Sequence, residues 1–409
     1  MAGALAVVLG LAALPGSCVP SPEVPGRVVP PPDPFVRLPY LQAVAEDSAV
    51  VRWRSESREG DRLRFRRGDG PWRSARVVET AGGDRRAVLD SLPPSARVAY
   101  TVRSGGVEVG PFGFRSPPPD TAGGGFRVLA FGDSGWGGDA QTDLAHVMEG
   151  RPWDLALHVG DLAYPDGEEA DFTLRHFDVY GDLFAGVPFY PVPGNHDVHA
   201  EGGAAYARAF AWPDGEGGRW YAFRWGRALF VGLDTSGGAE RDSLEERTGA
   251  QHAWLAATLE EAARDTTLDW TVVFSHYPLY SHASGISGHG PEEELREALE
   301  PLFVERGVDL VLAGHDHHYE RSLPIRDGHP VEPGCGPVYM VIGGGGAQRF
   351  ARSVSPDAHT ARVDRSYHVL SLQVGRRALV GEALGRDGRA FDRFRVRPTP
   401  PADERDGCG

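Results

Sequence analysis

Asp133, Asp161, Tyr164, Asn195, His276, His315 and His317 lie in five short segments, each placed just after a hydrophobic run. The segments read FGDSG, VGDLAY, PGNHD, VVFSHYP and AGHDHHYER. Carboxylate, phenolate and amide oxygens together with imidazole nitrogens are the donors that hard and borderline metal ions select. Taken singly each segment is weak, because Gly-Asp after a strand is usually a turn or a helix cap. His315-x-His317 is stronger, since alternate residues of an extended segment face one side and present two imidazoles together. Their joint occurrence in this order, always at a strand end, points to a site for two metal ions.

The elements between these segments are of the kind needed to bring them together. Continuous apolar runs at Phe126–Phe131, Leu155–Val159, Phe189–Val192, Ala228–Val231, Thr271–Phe274, Val308–Leu312 and Val338–Ile342 predict buried strands. Helical spacing predicts helices over Ala250–Ala263 and Glu292–Phe303, so strands and helices alternate in βαβ fashion. In open α/β sheets ligands bind beyond the carboxyl ends of the strands, which is where all seven donors fall. Ahead of this region, residues 35–118 show short alternating runs broken by Gly, Asp and Pro turns, the pattern of an all-β sandwich. Pro117-Pro118-Pro119 marks the boundary with a catalytic region over 119–396, followed by a tail at 397–409.

The ends and the composition add bounds. Ala4 to Leu14 is apolar and of signal-peptide length, which predicts an export segment at 1–19 and a Pro-rich linker at 20–34. Small residues before Cys18 resemble a bacterial lipoprotein cleavage site, although Pro15 fits it poorly; an ordinary signal peptide with an incidental cysteine is the leading reading and a lipid anchor at Cys18 the alternative. The expected location is therefore periplasmic, extracellular or anchored to the cell envelope. Cys335 and Cys408 form one disulfide or remain two unrelated thiols. With 409 residues, 41% of them hydrophobic, the chain has ample core for two domains, and no further apolar segment is long enough for a transmembrane helix. Net charge is −15, the chain contains no lysine, and there is no basic run, which argues against a nucleic-acid partner. Gly343 to Gly346 lacks the Lys and Ser/Thr of a phosphate-cradling loop and reads as a turn passing close to the metals. Trp212, Trp220 and Trp225 are expected to pack a loop excursion, some at the substrate entrance.

In order, the five segments resemble those of the metallophosphoesterase superfamily, and Tyr164 in GDLAY with the HHYER ending narrows the likeness to the purple acid phosphatases. The N-terminal sandwich resembles the fibronectin type III-like domain that precedes the catalytic domain in many relatives. What this implies for the fold is an α/β metallophosphoesterase domain, two packed mixed β-sheets flanked by helices in an αββα sandwich. For the site it implies that Asp133, Tyr164 and His317 hold Fe(III). Asn195, His276 and His315 would hold a divalent ion (Fe, Zn or Mn), and Asp161 would bridge the two. It further implies hydrolysis of small-molecule phosphate monoesters by a water activated on the metals. His196 would contact phosphate, and His289, or else His282, would protonate the leaving group. Asp197 and Asp316 are expected to support these residues or to face solvent. A phosphodiesterase or nucleotide-cleaving enzyme, and a metal-containing envelope protein without turnover, are the alternatives.

Overall fold

In the computed structural model, residues 30–57, 59–121, 123–213, 219–283, 289–349 and 356–400 are described. The expected export segment, Cys18, most of the linker and Cys408 lie outside these residues. Among them, no helix is long and apolar enough to cross a membrane.

Eight antiparallel strands form the N-terminal sandwich: β1 (Phe35–Gln42), β2 (Ala49–Ser55), β3 (Arg62–Arg67), β4 (Arg73–Ala75), β5 (Val77–Glu79), β6 (Asp84–Leu89), β7 (Arg97–Ser104) and β8 (Val107–Arg115). They make two sheets of order β1-β2-β6-β5 and β4-β3-β7-β8. Alternation drives the packing: in β3, Leu63 and Phe65 are buried while the intervening arginines face outward.

The region that follows contains two mixed sheets. The first uses β9 (Phe126–Phe131), β10 (Leu155–His158) and β11 (Phe189–Pro191), all parallel, followed across the sheet by three antiparallel strands near the C-terminal end of the described residues. The second is built from β12 (Tyr221–Trp225), β13 (Ala228–Gly232), β14 (Trp270–Phe274), β15 (Leu310–Ala313), β16 (Tyr319–Arg326), β17 (His329–Pro330), β18 (Val338–Ile342) and β19 (Thr360–Asp364). The remaining strands of the first sheet are β20 (His368–Val374), β21 (Leu379–Gly385) and β22 (Ala390–Val396). Within the second sheet β13, β14, β15 and β18 run parallel in that order.

Each central strand is apolar on both faces because both are covered. Val128 and Ala130 of β9 meet Phe230, Val272 and Leu312 between the sheets. Leu129 and Phe131 of the same strand pack against Leu144 and Met148 of helix Asp139–Glu149. On the far side, Val273 and Val311 pack on Leu255, Leu259, Leu295 and Leu299 of helices Ala250–Arg264 and Glu293–Arg306. The result is the expected αββα layering. One expectation fails: Trp225 is not in a loop excursion. It lies in β12, fully buried, with its ring 6.5 Å from Phe126, and lines no entrance. Its neighbours in YAFRW alternate, so the run carried a strand signal that the surrounding glycines obscured.

Candidate metal centre

Parallel strands end on one edge, so the residues that follow β9, β10, β11, β14 and β15 converge. Three of them adopt left-handed backbone conformations although none is glycine: Asp133 (φ 54°), Asp161 (φ 58°) and His315 (φ 66°). Each costs on the order of 1–3 kcal/mol, a strain held by the surrounding fold and typical of functional positions.

The seven expected donors fall into two groups. In the first, the Tyr164 hydroxyl is 3.4 Å from Asp133 Oδ1 and 3.2 Å from His317 Nε2, and His317 Nε2 is 3.5 Å from Asp133 Oδ1. In the second, Asn195 Oδ1 is 3.0 Å from His276 Nε2 and 3.2 Å from His315 Nδ1. Asp161 adjoins both, 3.5 Å from His276 Nε2 and, with Asp133 and His276, within 4.8 Å of mutual ligand-atom separation. Donors bound about 2.0–2.2 Å from one ion lie about 3 Å apart, so each triad has the spacing of groups sharing a cation.

The imidazoles are oriented by partners behind them. His276 Nδ1–H donates to the Val159 carbonyl at 2.9 Å and His317 Nδ1–H to the Gln348 carbonyl at 2.7 Å, leaving each Nε2 lone pair for the site. The His315 N–H lies 3.0 Å from both oxygens of Asp133. Asp161 Oδ1 accepts the His196 N–H at 3.0 Å. Asp197, completely buried, accepts from Leu162 N–H, Ala163 N–H and Gly194 N–H at 2.8–3.0 Å and so ties the Asp161 loop to the Asn195 loop. Glycine is required beside these groups: a Cβ on Gly160 would stand 2.5 Å from His276 Nδ1, and one on Gly343 2.8 Å from Asp133 Oδ2. The Gly343–Gly346 turn does therefore pass against a candidate ligand.

Two carboxylates and a phenol converge here in nearly complete burial. Burial, opposed mainly by His317 and His276, pushes the Asp133 carboxyl up. At Asp161 burial is outweighed by His276, His196 and His315, which hold it at about 2. Burial and then the charges of Asp161 and Asp133 push the Tyr164 phenol well above its ordinary range. Such a set is costly without cations and favourable with them; the donors fit a pair of metal ions.

Among the candidate acid groups, His196 is half-buried; its ring packs 4.3 Å from Tyr164, and its Nδ1–H donates to the Pro165 carbonyl at 2.5 Å. His289 lies with its ring 4.6 Å from His315 and 5.7 Å from His317, and its Nδ1–H donates to buried Asp316 at 3.1 Å. His282 is elsewhere, with both ring nitrogens facing carboxylates, Glu320 and Asp357. Asp197 and Asp316 are both buried supporting groups rather than solvent-facing ones. Sequence reading missed Glu320 and Asp357 as partners of His282, and Thr235, whose Oγ1 accepts the His276 and Tyr277 N–H groups at 3.2 and 3.0 Å. Thr235 follows β13 as the ligands follow their strands, a positional signal that was available.

Residues 126–319 match the calcineurin-like phosphoesterase family. Purple acid phosphatase 23 of Arabidopsis thaliana is 31% identical over 302 residues, covering 65% of this chain and 63% of that protein. Residues 126–319 thus carry a calcineurin-like phosphoesterase domain, and the chain is similar to purple acid phosphatases. Phosphoenolpyruvate phosphatase of Allium cepa is 28% identical over 330 residues, covering 73% of this chain and 65% of that one. The chain spans less than two thirds of the length of these relatives, and only 45% of Arabidopsis purple acid phosphatase 15. The structure of purple acid phosphatase PPD1 from yellow lupin seeds superposes with a TM-score of 0.74 at 20% identity, over 88% of this chain and 74% of that one, a likeness of fold. The all-β sandwich precedes the two mixed sheets, as the sequence resemblance implied.

Proposed function

We propose that the protein hydrolyses phosphate monoesters to an alcohol and inorganic phosphate. Asp133, Tyr164 and His317 would hold Fe(III), Asn195, His276 and His315 a divalent ion (Fe, Zn or Mn), and Asp161 both. The observation that carries the reading is the division of seven donors into two triads at 3.0–3.5 Å with a carboxylate between them. Phenolate and carboxylate suit a hard trivalent ion, amide and imidazole a borderline divalent one. When bound, such ions supply Lewis acidity to phosphate oxygens and to the attacking water.

The chain's own groups account for the rest of the reaction. Water adds to phosphorus, the ester P–O bond breaks, and the departing alkoxide takes a proton. We assign that proton to His289: its Nδ1 is committed to Asp316, so the transferable proton is on Nε2, beside the ligand histidines. His196, next to Asn195 and over Tyr164, is assigned to hold a phosphate oxygen. Export to an oxidising compartment belongs to the same proposal, supported by the apolar N-terminal segment and by disulfide-bonded Cys335.

The test is purified protein assayed for iron, zinc and manganese, with a visible spectrum and paired assays on 4-nitrophenyl phosphate and bis(4-nitrophenyl) phosphate. Two metals per chain, a tyrosinate-to-Fe(III) absorption band and preference for the monoester are expected. A colourless protein with two divalent ions would remove the Fe(III) assignment, and preference for the diester would remove the monoesterase reading. An Asn195→Ala variant with unchanged turnover would contradict the two-ion mechanism.

A further inference from the structure

The segment from Ser281 to Glu292 leads from ligand His276 to the helix Glu293–Arg306 and carries His289. It is pinned to the last ligand segment at three points. Ser281 Oγ donates to Asp316 Oδ2, the His282 N–H donates to Glu320 Oε2 at 2.9 Å, and His289 Nδ1–H donates to Asp316 Oδ1 at 3.1 Å. The middle point extends outward. The His282 ring bonds Glu320 Oε1 through Nδ1 and stands 2.9 Å from Asp357 Oδ2 through Nε2. Asp357 is itself held by the His359 N–H at 2.7 Å and ring Nδ1 at 3.1 Å, and His359 Nε2 reaches the Gly328 carbonyl at 2.6 Å.

A ring whose two nitrogens each face a carboxylate carries a proton on both, because a bare nitrogen opposite a carboxylate oxygen would set two acceptors against each other. His282 is therefore a cationic link, and its hydrogen bond to Glu320 first, then Asp357, push it up to about 9 despite partial burial. Both of its protons are engaged away from the ligand triads, which leaves none to give to a leaving group there.

We infer that His282 is a positioning residue. Clasped between Glu320 and Asp357, it anchors residues 281–283, where Ser281 bonds one oxygen of the Asp316 carboxylate whose other oxygen holds His289 against His315 and His317. The inference rests on the hydrolytic reading with His289 as proton donor. Anchoring matters because a donor displaced by about 1 Å loses much of its effect while ligands on other strand ends are untouched. Glu320 and Asp357 sit 37 residues apart on separate segments, and His282 joins them through opposite ends of one ring, a geometry that a neutral amide does not reproduce.

The experiment compares His282→Gln, His282→Arg, Asp357→Asn, His289→Ala and the His282→Gln/His289→Ala double variant on phosphate esters of rising leaving-group pKa. Metal content is measured in parallel, and amide exchange is followed at residues 281–283 and 289–292 in metal-free protein. For His282→Gln the expectation is unchanged metal content, KM within about twofold, and kcat lowered about tenfold for alkyl phosphates but little for 4-nitrophenyl phosphate, which needs no proton. Exchange at residues 281–283 and 289–292 should quicken. His282→Arg, which keeps a cation between the two carboxylates, should restore most of the loss. Asp357→Asn should give the same selectivity more weakly, an independent check if His282→Gln folds poorly. The double variant should be no worse than His289→Ala alone. An equal loss on every ester, a loss of metal, or no loss at all would overturn the clasp. If His289→Ala is leaving-group selective and His282→Gln is not, the clasp falls alone; if His289→Ala shows no selectivity, the donor assignment falls and the clasp with it.

Discussion

Tyr164 is the residue on which the chemistry of the first triad turns, since it is the donor that must give up a phenolic proton, held well above its ordinary range by burial and by Asp161 and Asp133, to bind as an anion. Its ring is wedged between Trp136 at 5.4 Å and His196 at 4.3 Å, so removing the hydroxyl leaves the packing intact. Tyr164→Phe should therefore fold normally, lose the visible absorption band of the loaded protein, and hold less iron by metal analysis. A retained band would mean that the colour has another source. His282 makes a separate prediction about stability. Its folded value of about 9 lies above the ordinary 6.5, so its contribution is full below pH 6.5 and is lost as the pH rises through 9. With allowance for solvent screening that contribution is about 2 kcal/mol. Urea denaturation at pH 6 should separate wild type from His282→Gln by about this amount, and the gap should close by pH 10. A gap independent of pH would assign the effect to packing instead.

At the scale of elements, what was legible in the sequence was whatever local periodicity and strand-end position encode. The runs Phe126–Phe131 and Val338–Ile342 are strands β9 and β18 with the same limits, and all seven donors follow strands as expected. What was not legible depends on contacts across long stretches of chain. The choice between His289 and His282 turns on Asp316, Glu320 and Asp357, which no spacing rule connects to the 281–289 segment. Trp225 shows the opposite error: β12 is short and edged by glycines, and the Trp225 side chain is buried by packing between the sheets against Phe126. The strand-end loops also depend on close backbone approach. Gly160 has φ 96° and no room for a side chain beside His276. Gly160→Ala should destabilise the chain by about 1–3 kcal/mol. It should also weaken binding of the divalent ion roughly 10–100-fold, as loss of an orienting partner does. Isothermal titration of zinc into metal-free protein reads the second effect, and unchanged affinity would show that the His276 loop has slack that its packing does not suggest.

The whole molecule is more tightly joined than a proline boundary implies. Apolar packing runs without a break from Trp53 and Phe114 of the sandwich to Phe126 and Tyr190 of the first sheet. Four side chains reach across to backbone carbonyls: Tyr40 to Ala209 at 2.8 Å, Tyr100 to Ala185 at 2.6 Å, Tyr190 to Val44 at 2.6 Å, and Arg52 to Phe210 at 3.1 Å. Beside them, fully buried Arg37 pairs with Glu169, which also takes Arg54 at 2.6 Å and lies 3.5 Å from Arg208. Arg54 in turn bonds Asp84 through two nitrogens at 2.9 Å. Glu169 follows the Tyr164 loop closely, so the sandwich is fastened to the segment that carries a candidate ligand. Glu169 is 34% exposed, so removing its charge leaves buried Arg37 short of a partner at less than the cost for a fully buried pair, about 1–3 kcal/mol. Glu169→Gln should accordingly lower the melting temperature while keeping one unfolding transition, because the two units share a core. Burial would raise the Glu169 carboxyl, but Arg37 and Arg54 outweigh it and hold it below its usual value. Its contribution is thus present at neutral pH and disappears as the pH falls through that lowered value, so wild type and Glu169→Gln should converge in acid. Calorimetry at neutral and acidic pH checks both points: two separate transitions would show that the sandwich unfolds on its own, and a difference that persists in acid would show that the Glu169 charge is not what fastens it.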